Sequence, residues 1–185
     1  MLRRPYIALV LLLLCSPAVA GEKDEVKVEA HREGDAVLVN AVARVGADLD
    51  TAWGVLIDYD RYAEFIPDLK SSQVLLREGN TAIVEQKGEA GFFVFHFKVE
   101  VTFLVAEEPR TSIRSRALSG TFREMTGTYL LAQEGEVLHL TYTGRLVPNF
   151  LLPPLIGTAA VKSAIQKQFG ALVKEIQRRA LLQPK

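Results

Sequence analysis

The chain is short of cysteine, histidine and excess charge. Among its 185 residues stand one cysteine, three histidines, and 22 acidic against 22 basic groups. A lone cysteine, Cys15, excludes a disulfide framework and a thiolate-rich zinc site. His31, His96 and His139 stand in no metal-ligand spacing, so no metal ion is expected, and His96 and His139 read as solvated sheet residues. Balanced charge leaves no basic excess to meet phosphates, so no nucleic-acid partner is expected. A nucleophile elbow, a P-loop and a dinucleotide fingerprint are all missing. No catalytic residue and no cofactor follow from motifs. Glycine and proline together number 21, which excludes a collagen-like or disordered chain.

What is present begins with a leader. Arg3 and Arg4 precede an apolar run from Tyr6 to Leu14, and Ala18-Val19-Ala20 ends it. A basic start, a short apolar stretch and an A-x-A end predict a secretory signal peptide over 1–20, with one domain over 21–185. An uncleaved anchor is the alternative. Cleavage removes the only thiol, which suits a periplasmic or cell-envelope setting. The remaining 165 residues are long enough for one self-sufficient core.

Two strands are predicted at Val26–His31 and Ala36–Val45. Asp48 or Asp50 caps a helix with Leu49, Ala52, Trp53, Leu56 and Ile57 on its inner face. A short turn of helix follows from Tyr59 to Phe65, stopped by Pro67; Asp58 is a candidate cap for it. The period then changes to two, giving strands at Val74–Arg77, Thr81–Lys87, Phe92–Val105, Thr111–Leu118, Arg123–Ala132 and Val137–Val147, with a turn at Gly88–Gly91. In the third of these, Phe93, Phe95, Phe97, Val99, Val101, Phe103 and Val105 share one face. In the last, Leu138, Leu140, Tyr142 and Leu146 do so. A long helix, Leu155 to Leu182, carries Val161, Ile165, Phe169, Leu172, Ile176 and Ala180 as one stripe. An α+β fold follows, in which a curved antiparallel sheet covers its apolar face with this helix.

The segment Ala52-Trp53 through Asp58-Tyr59 to Phe65-Ile66-Pro67, with Gly127-Thr128-Tyr129 and Val147-Pro148 before an apolar helix start, resembles the START-like superfamily. It is most similar to the bacterial polyketide cyclase/dehydrase and coenzyme Q-binding branch. The resemblance covers nearly all of residues 26 to 182. It implies a helix-grip scaffold around an apolar cavity that binds lipids, quinones, sterols or polyketides, with catalysis in only some members.

The expected function is therefore that of an exported, monomeric carrier of a hydrophobic small molecule. Its expected ligand-binding wall comprises Trp53, Tyr62, Phe65, Phe93, Phe95, Phe97, Val99, Tyr142, Phe150, Leu155, Ile165 and Phe169; for each, plain core packing is the competing reading. Two other functions remain open. A cyclase or dehydratase would need an inward acid or base, with Tyr142, Glu85 and Arg116 the candidates. Strand parity turns Arg114 and Arg116 outward unless a bulge intervenes. A protein-docking module would use the apolar stretch Phe150 to Ile156. That stretch is also the expected site of transient membrane-surface contact, because residues 155–185 hold six basic groups and one acid. Of two candidate openings to the cavity, Tyr59–Pro67 and Asn149–Thr158, the second is expected to yield more easily.

Overall fold

The structure, a computed structural model, describes residues 26–92, 95–149 and 154–183; for 90–92, 95–97 and 154–156 it describes the backbone alone. Alternating apolar residues build strands β1 (Lys27–Glu33) and β2 (Ala36–Val45), in which Val37, Val39, Ala41, Ala43 and Val45 are all buried. Helix α1 (Leu49–Leu56) starts at Asp48, whose Oδ1 accepts the Thr51 amide at 2.7 Å. A 3-10 turn (Tyr59–Arg61) and the single-turn α2 (Tyr62–Phe65) come next. Then follow β3 (Leu69–Glu78), β4 (Thr81–Phe92), β5 (Phe95–Glu108), β6 (Ser112–Gly120), β7 (Phe122–Glu134) and β8 (Val137–Pro148). Helix α3 (Pro154–Leu182) closes the chain.

All pairings are antiparallel, in the order β1-β2-β8-β7-β6-β5-β4-β3. The two ends of the chain's first half thus lie far apart in one sheet, and α3 packs across β1, β2 and β4. Its buried face is Ile165, Phe169, Leu172, Val173 and Ile176. This is the helix-grip arrangement. No described helix is long and apolar enough to cross a membrane.

Three local expectations are corrected. Gly88–Gly91 is not a turn: β4 continues through it to Phe92, which pairs with Phe95, so the two strands form one long hairpin. Asp58 does not cap the 3-10 turn; its carboxylate accepts from Arg179 at 2.7 Å instead. Glu85 faces outward, beside Lys87 at 2.7 Å, because the register that buries Ala82 and Val84 brings Gln86 to the inner face. Arg114 and Arg116 also face outward: the bulge in β6 comes after them, at Leu118, where Phe103 pairs with Ala117 and Thr102 with Ser119.

The segment between α1 and β3 is tied down at several points. The Tyr59 hydroxyl donates to Glu107 Oε1 at 3.0 Å, and Tyr62 donates to the Leu56 carbonyl at 2.6 Å. Asp60 Oδ1 accepts the Val74 amide at 2.7 Å. Arg179 bridges Asp58 and Glu175, and Arg178 adds a second guanidinium to Glu175, at 2.7 Å. Those guanidiniums hold the buried Glu175 carboxyl down to about 2. A folded-state pKa below the ordinary carboxylate value adds stability above about pH 4.5, and that stability is lost as pH falls toward 2. Chemical denaturation between pH 7 and pH 2.5 is expected to show that loss. The Glu175→Gln variant should be less stable at pH 7 and have a flatter profile; an unchanged slope would remove Glu175 from the account.

Candidate functional site

Strand parity decides what the sheet offers to α3. Along the inner face, Ser115 pairs with Gly127, Gly127 with Gly144, and Tyr129 with Tyr142. These residues, with Val84, Gln86, Phe103, Val105 and Ile113, face α1, the 3-10 turn and α3. Between them lies a cavity of about 110 Å3, lined on its other side by Leu56, Tyr59, Tyr62, Ile66 and Leu172. Four tyrosines line it.

The four rings form two pairs. Tyr59 and Tyr62 meet edge to face at 5.6 Å between centroids. Tyr129 and Tyr142 lie 4.7 Å apart, and Tyr129 stacks on Phe169 at 6.4 Å with 7° between planes. Tyr142 lies flat over two glycines. A Cβ added at Gly127 would stand 2.9 Å from the Tyr142 hydroxyl oxygen, and one at Gly144 would stand 2.7 Å from it. Any larger residue at either position displaces the ring.

Behind Tyr59 stands an ion pair between the buried Glu107 and Arg77, whose side chain is 38% exposed. Arg77 holds both Glu107 oxygens, at 3.1 and 3.0 Å, and its guanidinium also sits 5.6 Å from the centre of the Tyr59 ring. Glu107 is thus fully occupied and stands outside the cavity lining. Burial pushes all four phenols up; for Tyr59 the Glu107 charge adds to this, and for Tyr129 its neighbours Tyr142 and Tyr62 do. Tyr142 is raised to about 12. The phenols therefore remain protonated at neutral pH and act as hydrogen-bonding groups. Among the described lining residues no Lys, Arg, Asp or Glu is present.

The residues expected from sequence to form the wall are distributed as follows. Tyr62 and Tyr142 line the cavity. Phe169 and Ile165 are buried on α3, with Phe169 one ring behind Tyr129. Trp53 and Val99 pack partly buried against the core, outside the lining. Phe65 belongs to a separate surface depression with Pro67, Lys167 and Lys174. Phe93 and Phe150 lie outside the described residues, and so do the side chains of Phe95, Phe97 and Leu155. Of the Tyr142, Glu85 and Arg116 set, only Tyr142 reaches the cavity; Glu85 and Arg116 are on the opposite face of the sheet. Sequence reading missed Tyr59, Gln86, Ser115 and Tyr129. Tyr129 shares parity with Gly127 and Leu131, and that pattern was available in the sequence.

Comparison with known proteins agrees with this architecture. The family model described as polyketide cyclase / dehydrase and lipid transport matches residues 45–173. Among solved structures, the Zhui aromatase/cyclase from Streptomyces sp. R1128 superposes with a TM-score of 0.66 at 18% identity, over 79% of this chain and 94% of that one. A STAR-related lipid transfer protein fragment from Xanthomonas axonopodis gives 0.68 at 16% identity, over 85% and 97%. A START superfamily protein from Mycobacterium smegmatis gives 0.63 at 15%, over 78% and 97%. At these identities the likeness concerns the fold. No curated protein sequence matches the chain. With the family model spanning more than half of its length, the chain belongs to the polyketide cyclase / dehydrase and lipid transport family.

Proposed function

We propose that the protein is an exported, monomeric carrier that holds a hydrophobic small molecule between the sheet and α3. The observation that carries this reading is the cavity itself. Its wall combines apolar side chains with phenols, and no charged group lines it among the described residues. Affinity then comes from removing apolar ligand surface from water, about 25 cal/mol per Å2 before ordering costs. Export is supported by the order of Arg3, Arg4, the apolar run and Ala18-Val19-Ala20. A transient approach to a membrane surface is supported by the basic groups of α3, Lys162 and Lys174 among them.

A volume of about 110 Å3 takes a ring-sized group, below the roughly 300 Å3 where drug-sized pockets begin. A longer ligand enters head first, or it shifts part of the wall. The test is to purify the protein from its native envelope fraction, extract it with organic solvent and analyse the extract by mass spectrometry. One hydrophobic species near stoichiometry is the expected result; a protein that arrives empty and takes up no apolar probe overturns carriage. N-terminal sequencing of the same sample is expected to begin at Gly21.

The cyclase reading is supported by the family description, which names polyketide cyclases beside lipid transport, and by the Zhui aromatase/cyclase likeness in fold. Conversion of a linear poly-keto compound by the purified protein would select it over carriage.

A further inference from the structure

We propose that Tyr129 and Tyr142 form a two-donor site for the carbonyl oxygen of a neutral ring, the oxygenated head of the hydrophobic ligand; this rests on the carrier reading above. The starting point is the allocation of hydroxyl protons in the cavity. Tyr59 gives its proton to Glu107 and Tyr62 gives its proton to the Leu56 carbonyl. Gln86 donates from Nε2 to Ser72 Oγ at 3.3 Å, and Ser115 donates to the Gly127 carbonyl at 3.3 Å. The Tyr129 and Tyr142 hydroxyls have no hydrogen-bond partner among the described residues. Tyr142 is 7% exposed and Tyr129 is partly buried, and both line the cavity.

Two phenol protons that no protein group accepts are free to donate to a ligand oxygen inside the cavity. The rings lie on directly paired residues with their centroids 4.7 Å apart, so one small ligand group can lie against both. A carbonyl oxygen has two lone pairs and accepts two such donors at once. A carboxylate would be unfavourable, since no cation lines the cavity among the described residues to offset its desolvation. Size sets the rest. The cavity of about 110 Å3 exceeds the roughly 30 Å3 share of one water and approaches the roughly 150 Å3 cavity that holds benzene. A five-membered ring is the fitting probe.

The experiment compares cyclopentanone with methylenecyclopentane, which has the same shape but no acceptor oxygen. Binding is read by titration calorimetry, and the ketone also by the 13C resonance of a labelled carbonyl. Wild-type protein is expected to bind the ketone about tenfold more tightly than the hydrocarbon, and the carbonyl resonance should move downfield on binding. With Tyr129→Phe and Tyr142→Phe combined, the preference should vanish and the downfield shift should be lost, while hydrocarbon binding persists. Near-ultraviolet circular dichroism checks that the variant is folded; should it not be, the wild-type preference and carbonyl shift still decide the matter. Equal affinities for the two probes, with an unmoved carbonyl resonance, overturn the paired-phenol site and leave carriage intact. Failure of both probes to bind any form of the protein overturns both.

Discussion

Replacing Phe169 with alanine is expected to lower the unfolding free energy by about 3–5 kcal/mol, the cost typical of removing a fully buried aromatic ring. Phe169 is 1% exposed, within an inward row of α3 that includes Leu172, Val173 and Ile176. Its ring stacks parallel to Tyr129, so truncation removes a packing surface from both the helix and the sheet. It also removes the support that holds Tyr129 in place. Urea denaturation of the two proteins measures the effect. The same variant should bind the ketone probe more weakly, although no atom of Phe169 lines the cavity. A loss below about 1 kcal/mol would mean that the wall collapses readily around the missing ring, and that Tyr129 needs no such backing.

The second large effect is expected at Gly120. Its φ is +129°, a region that side chains rarely enter. A Cβ there would collide with the Glu100 carbonyl oxygen and come within 2.8 Å of Val101 Cα, and both of these are backbone. Neither neighbour can swing aside as a long side chain would. Gly120→Ala must therefore push β5 and β6 apart where Thr121 bonds Glu100, with Thr121 N to Glu100 O at 2.8 Å and Glu100 N to Thr121 Oγ1 at 3.0 Å. Strain and broken bonds together give a cost of about 3 kcal/mol or more. Gly135 is the control. Its φ is +59°, with nothing within 4 Å of an added Cβ, so alanine there costs about 1 kcal/mol of backbone strain alone. Equal losses at the two positions would show that close approach adds nothing to the conformational term.

Legibility in the sequence followed the contrast between strand faces. In β8, leucines alternate with His139, Thr141 and Thr143, so the inward side of Tyr142 could be read directly. In β4 the contrast is poor: Ala82, Val84 and Gln86 compete with Ile83, Glu85 and Lys87, and each face mixes apolar and polar groups. Only the pairing of Val84 with Phe103 settles the choice, and that contact spans 19 residues of chain. The β4–β5 hairpin was misread for a related reason. Gly88 and Gly91 suggest a turn by composition, whereas cross-strand pairing carries them through as strand. The Arg77–Glu107–Tyr59 cluster was not visible either. It joins three elements distant in sequence, and none of its members stands in a motif.

The Gly127–Gly144 pair, over which Tyr142 lies, has a consequence for which molecules the fold can admit. Because the ring rests directly on backbone, its depth is set by what the two strands carry beneath it. A methyl group at residue 144 would come within 3.1 Å of the ring carbons and lift the ring toward α3. The bore of the site would narrow without any change in its visible lining. Guest size is thus gauged from beneath the floor. Two proteins with the same wall could accept different molecules because one has a hydrogen atom where the other has a methyl.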